Sequence, residues 1–171
     1  MNTIADRFHA VSGSVTPYIV TPEGKKVFRT RHNLVLDSAN LLLAKLLAGG
    51  DFAPTHIAFV VGTVSNQVGF EDDYDALKGS NTILAELLSP TIDTADKSVT
   101  FTTHTGLGSP AFNNSSGYTI ARAILVCKKG DTNTPFSAID LGEFEVPAGA
   151  YFGLYWKISF GINEPEEDES A

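Results

Sequence analysis

The sequence predicts a mainly β, single-domain protein: an antiparallel β-sandwich of jelly-roll-like type with one short α-helix. Three observations predict it. Short runs of β-branched and aromatic residues recur between turn residues, and Tyr151 to Phe160 alternates apolar and polar most clearly. One segment alone, from Ala39 to Leu47, repeats its apolar residues at helical spacing. The length, 171 residues, suits one domain with its own core. The chain divides into an N-terminal arm at 1–13, the β-sandwich at 14–162 and an acidic C-terminal tail at 163–171.

Taken in order, Val15 to Val20 is an expected strand, Pro22-Glu23-Gly24 a turn and Lys25 to Arg31 the return strand. Asp37 or Ser38 is placed to cap a helix with its side-chain oxygen. Ala39, Leu42, Leu43, Leu46 and Leu47 then form one apolar stripe, which predicts that the helix covers an open face or end of the sandwich. Gly49-Gly50 stops it. His56 to Val61 is an apolar strand, and Ser65 to Tyr74 a polar loop. Asn81 to Leu88 permits a helical turn or a strand. Val99 to Thr103 alternates as a strand, and Thr105 to Gly117 is a long loop rich in glycine, serine, asparagine and proline. Ile120 to Cys127 is apolar on both faces apart from Arg122, the mark of a central strand. Lys129-Gly130-Asp131 turns the chain into a strand from Ser137 to Val146, and Pro147-Ala148-Gly149 turns it again. In Tyr151 to Phe160, one face is Phe152, Leu154, Trp156, Ile158 and Phe160, so Trp156 is expected in the core.

Charge and composition narrow the function. The formal net charge is −8, which opposes binding to phosphate backbones; the only basic cluster is Lys25, Lys26, Arg29 and Arg31. No apolar run approaches the roughly 20 residues of a membrane helix, and Met1 to Phe8 does not read as a secretory signal. The single cysteine, Cys127, ends an apolar run and reads as a buried, inert thiol.

Each feature that could carry chemistry has a plainer reading. His9, His32, His56 and His104 show no metal-binding spacing. The acidic run Glu71-Asp72-Asp73-Tyr74-Asp75 lacks the glycine and glutamate of a calcium loop and reads as solvated. Gly106-Leu107-Gly108-Ser109 is a fragment of a phosphate-loop pattern without its third glycine or helix. Asn113-Asn114-Ser115-Ser116 holds glycosylation sequons, but with no secretory signal expected it reads as loop chemistry. Tyr74, Phe112 and Tyr118 are the loop aromatics available to a carbohydrate. No catalytic, cofactor-binding or metal residue is assigned, and no cofactor is expected.

The order of parts carries more than any motif. A hairpin leads to Asn33-Leu34-Val35-Leu36-Asp37-Ser38 and a helix ending in glycine, then to Ile57-Ala58-Phe59-Val60-Val61-Gly62-Thr63. Leu84-Ala85-Glu86-Leu87, Val99-Thr100-Phe101, Ile120 to Val126 and a strand near Phe144 follow, and Leu154-Tyr155-Trp156-Lys157-Ile158-Ser159-Phe160 closes the series. From Val15 to Phe160 this order resembles accessory virion structural proteins of tailed bacteriophages, of the capsid-decoration, tail or fibre-associated kind. It departs at Val60-Val61-Gly62-Thr63-Val64, which lacks the second glycine after the threonine. The resemblance implies assembly rather than catalysis. The expected partners are further copies of the chain and other virion proteins, with no nucleic acid and no membrane. The expected place is the outer surface of capsid or tail, after synthesis in the host cytoplasm. The alternative is a fibre-tip or receptor-binding module that recognises host glycans.

Overall fold

A computed structural model describes residues 11–103 and 116–161. The first ten residues of the arm, the acidic tail, His9, His104, Phe112, the glycine-rich fragment and most of the Thr105 to Gly117 loop lie outside the described residues. Ten strands and two helices follow in the order β1 (Val11–Thr21), β2 (Gly24–Val27), β3 (Arg31–Val35), α1 (Asp37–Leu47), β4 (His56–Val61), α2 (Tyr74–Leu77), β5 (Thr82–Glu86), β6 (Thr91–Asp93), β7 (Ser98–Thr102), β8 (Tyr118–Lys129), β9 (Thr132–Val146) and β10 (Tyr151–Phe160).

The mainly β, antiparallel, single-domain architecture is as the sequence predicts. The ladders form one path, β5-β4-β8-β9-β3-β1-β10-β7-β6, with β2 on the flank of β1. This is one curled sheet; a jelly roll of two separate sheets does not emerge from it. The curl brings its two ends together, because Leu87 beyond β5 bridges Thr103 beyond β7, and the Leu88 amide donates to the Thr102 carbonyl at 2.9 Å. The two halves then face each other as in a sandwich, and Phe59 of β4 meets Phe152 of β10 edge to face at 5.4 Å.

The switch between halves is made by β3. Arg31 to Asn33 pair with β1, while Leu34 and Val35 pair with β9. Gly13 lies opposite Asn33, and a Cβ there would fall 2.1 Å from Asn33 Oδ1. The expected return strand is therefore split: β2 ends at Val27 and β3 starts afresh at Arg31. β1 begins at Val11, so residues 11–13 of the arm belong to the sheet.

Trp156, Phe152, Leu154 and Ile158 fill the main core with Val15, Ile57, Phe59, Leu125 and Cys127. Phe160, at the strand's end, is 40% exposed. α1 places Ala39 and Leu42 in this core, with Leu43 partly buried against it. Neither expected side chain caps the helix. Leu36 precedes it without a side-chain bond, and the Ser38 hydroxyl instead donates to the Pro135 carbonyl, tying the helix to β9. Gly49 and Gly50 close the helix as expected, their amides bonding Leu46 and Lys45 carbonyls in a Schellman pattern. Leu47 departs from the predicted stripe and is 91% exposed.

Asn81 to Leu88 resolves as a strand, and β9 starts at Thr132, earlier than the apolar pattern suggests. A second helix, α2, occupies the end of the expected loop and the residues after it. Asp73 starts it by accepting the Ala76 amide at 2.8 Å.

Candidate functional site

The two faces of β8 explain the site. Ala123, Leu125 and Cys127 point to the main core. Ile124 and Val126 point the other way and join Leu36, Ala58, Val60, Leu77 and Ala138 in a second, smaller core. Val64, Val68 and Tyr74 pack on that cluster, so the segment between β4 and β5 lies over the outer face of this half of the sheet.

Arg122 is on the same outer face and is fully buried. A buried guanidinium is tolerable only when its donors are met. Nε donates to Asp140 Oδ1 at 2.8 Å, Nη1 to the Leu77 carbonyl at 3.0 Å and Nη2 to the Asn66 carbonyl at 2.7 Å. The second oxygen of Asp140 accepts the Val68 amide at 2.9 Å. One side chain thus holds both ends of the 66–77 segment against the sheet, and its charge is balanced within the contact.

The pairing depends on a local irregularity. From the β8–β9 turn, Lys129 pairs with Thr132 and Val126 with Pro135, but Leu125 pairs with Ser137. The extra residue at Phe136 moves Asp140 opposite Arg122, where an unbroken ladder would put Ile139. Pro135, which has no amide hydrogen to give a ladder, sits at this bulge. A second irregularity follows between Ile120 and Arg122.

That second irregularity opens a cavity of about 290 Å³ beside the ion pair. Ser65, Asn66 and Gln67 line one side and Asp140, Gly142 and Glu143 the other, with Val64 and Ala121 among the apolar lining. Gly142 has a positive φ of 68°, which lets the β9 backbone turn away here. A more polar cavity of about 430 Å³ lies between α2 and the β8–β9 turn, with Asp73, Asp75, Lys78 and Asp131 on its walls.

The other sequence candidates fall elsewhere. Tyr74 packs on the smaller core and Tyr118 against the main one, so the sheet separates them. Burial pushes the Tyr118 hydroxyl up to about 12 and that of Tyr74 upward. The acidic run is occupied locally: Asp72 accepts the Gly69 amide at 2.6 Å, Asp73 caps α2 and Asp75 pairs with Lys78 at 2.9 Å. Among the described residues, no group of three or more His, Cys, Asp or Glu side chains could hold a metal ion, and no helix is long and apolar enough to cross a membrane. Cys127 is buried, and burial raises its thiol pKa. In the basic cluster, Lys25 lies 4.4 Å from the Tyr18 ring centre and 4.5 Å from that of Tyr155, and Arg31 donates to the Leu141 carbonyl at 3.3 Å.

Sequence reasoning marked Arg122 only as an exception within an apolar run. That exception was the available signal, since a charge on a doubly buried strand requires a buried partner. Compared with protein-family models, with curated proteins and with solved structures, the chain matches none of them.

Proposed function

We propose that the chain is a non-enzymatic structural protein that assembles with copies of itself and with other virion proteins on the outside of a tailed-phage capsid or tail. The observation that carries this reading is the outward face of α1. Leu41, Ala44 and Ala48 are exposed at helical spacing, on the side opposite Ala39 and Leu42, and Leu47 extends the same apolar surface. The first turn of this face is polar, with Asp37 and Asn40. From Leu41 onward the helix is apolar outward as well as inward, and, single exposed leucines being ordinary, it is this run that is suited to burial on both sides.

A second copy of the chain is the occupant that charge favours. Lys45 of α1 lies over the Phe52 ring at 4.6 Å, and Lys129 of the β8–β9 hairpin, which is paired with Asp51 at 3.0 Å, lies over it at 5.4 Å. Lys45 is therefore the cation that flanks the apolar helix, whereas the chain as a whole is acidic at −8. The order of sequence motifs supports the phage assignment, and the negative charge favours a position away from packaged DNA.

Sedimentation velocity of the full chain over a range of concentrations tests the reading. The expected result is a concentration-dependent oligomer that Leu41→Glu with Leu47→Glu returns to monomer at unchanged thermal stability, because exposed substitutions cost less than about 0.5 kcal/mol. A wild-type chain that stays monomeric and is absent from virion fractions overturns it.

A further inference from the structure

We infer that the cavity between residues 65–67 and the β9 irregularity at residues 140–143 is a binding site for a neutral, hydroxyl-rich ligand the size of one sugar ring. The inference does not depend on the assembly reading, because α1 contributes nothing to this cavity.

Three observations lead to it. The first is the state of Asp140. Its carboxylate is paired with the buried Arg122 and also accepts the Val68 amide, yet its side chain keeps 33% exposure. A carboxylate offers about four acceptor positions, and two are used. The free ones face the cavity, which the Glu143 carboxylate also lines. Acceptor positions of this kind suit hydroxyl donors; at Asp140 a ligand cation would have to share the carboxylate with a fixed guanidinium close by, which leaves Glu143 as the group that the cationic probe tests.

The second observation is the opposite wall. Ser65, Asn66 and Gln67 are successive residues that supply a hydroxyl and two amides, able to donate and accept together. Alternating donors and acceptors match the neighbouring hydroxyls of a sugar. The backbone of this wall is held in place, because the Asn66 carbonyl is fixed at 2.7 Å by Arg122 and the Val68 amide at 2.9 Å by Asp140, while the side chains of residues 65–67 are exposed. A backbone fixed before binding spares the entropy of ordering it later.

The third is size and floor. At about 290 Å³ the cavity lies near the lower limit of ligand pockets, which run from about 300 to 1,000 Å³. More of its lining is apolar than polar, with Val64 and Ala121 among the apolar residues, a surface suited to the C–H face of a pyranose. Ala121 is the residue that the strand irregularity skips between Val61–Ile120 and Val60–Arg122 pairings, and such irregularities recur beside binding sites.

The test is an amide NMR titration of the full chain with glucose, galactose, mannose and N-acetylglucosamine, with arginine amide as the cationic probe. At least one sugar is expected to give saturable shifts centred on residues 65–67, 121 and 142–143, with Kd on the order of 1 mM. Asn66→Ala and Gln67→Ala should each weaken it roughly two- to tenfold, the range of one neutral hydrogen bond. Ser65→Trp should abolish it by filling the space, with the spectrum otherwise native. Arginine amide should produce no saturable shift there. Absence of saturable shifts with every sugar, binding of arginine amide alone, or sugar binding unaffected by all three substitutions would overturn the inference.

Discussion

The two halves of the curled sheet bury their outer faces differently. In the β4–β8–β9 half, the outer face is covered by the segment between β4 and β5, and β8 is buried on both sides. In the β1–β10–β7 half, the outer face carries Ser14, Thr16, Thr100, Thr102, Tyr155 and Lys157, all only partly buried. The same backbone ladder supports both. The difference lies in Arg122, which gives the covering segment polar anchors in addition to its apolar contacts with Ile124 and Val126. On the open half, the comparable cation, Lys25, remains exposed over Tyr18 and Tyr155, where such a contact is worth only about 0.5–1 kcal/mol.

Breaking the anchor should give the largest effect. Arg122→Ala leaves Asp140 and two carbonyls without their donor, and the expected loss is about 3–5 kcal/mol in urea denaturation. Replacing both partners, Arg122→Met with Asp140→Leu, should recover much of that loss, because no buried charge remains. If the double variant is as unstable as the single one, the ion pair is not the source of the cost.

The next effect compares the outer faces directly. Ile124→Ala, on the covered face, should cost about 2–5 kcal/mol. Thr100→Ala, on the open face, should cost less than about 0.5 kcal/mol. Similar losses measured by thermal denaturation would mean that the two faces are packed alike.

The smallest expected effect is a pH dependence at the edge of the covered half. Burial lowers the pKa of His56 below its ordinary value; Glu86, its partner across β5, opposes this and Lys128 adds to it. The folded state therefore binds the proton less readily than the unfolded chain. The stabilisation is complete above about pH 6.5 and is lost as the pH falls through that value toward the folded pKa. His56→Gln should flatten this part of the stability profile, and an unchanged slope would assign it to other groups.

Much of the fold was legible because burial leaves a periodic record. The alternation of Phe152, Leu154, Trp156 and Ile158 defined β10, and the unbroken apolar run around Ile124 marked β8 as central. Where periodicity failed, a tertiary contact had decided the matter. Ser38 serves β9 instead of capping α1. Leu47 continues the helical spacing past the last turn that the sheet can cover. Ile83, Leu84 and Leu87 fit either period, and pairing with β4 selected the strand. The Arg122–Asp140 site was half legible. The lone charge was visible, but its partner depends on one extra residue between Pro135 and Ser137, and a shift of one residue in register changes which side chains meet.

Native-state hydrogen exchange of the full chain tests most directly whether Arg122 makes the 66–77 segment part of the core. The Val68 amide, bonded to Asp140, and the Leu77 amide, bonded to the Asp73 carbonyl at 3.2 Å, are the reporters. Both should exchange slowly, with protection approaching that of the β4 and β8 amides, and Arg122→Met with Asp140→Leu should lower protection at Leu77, whose carbonyl Arg122 holds, as well as at Val68, while β8 keeps its own. Exchange of both amides at the rate of an open loop in the unmodified chain would contradict this role for Arg122.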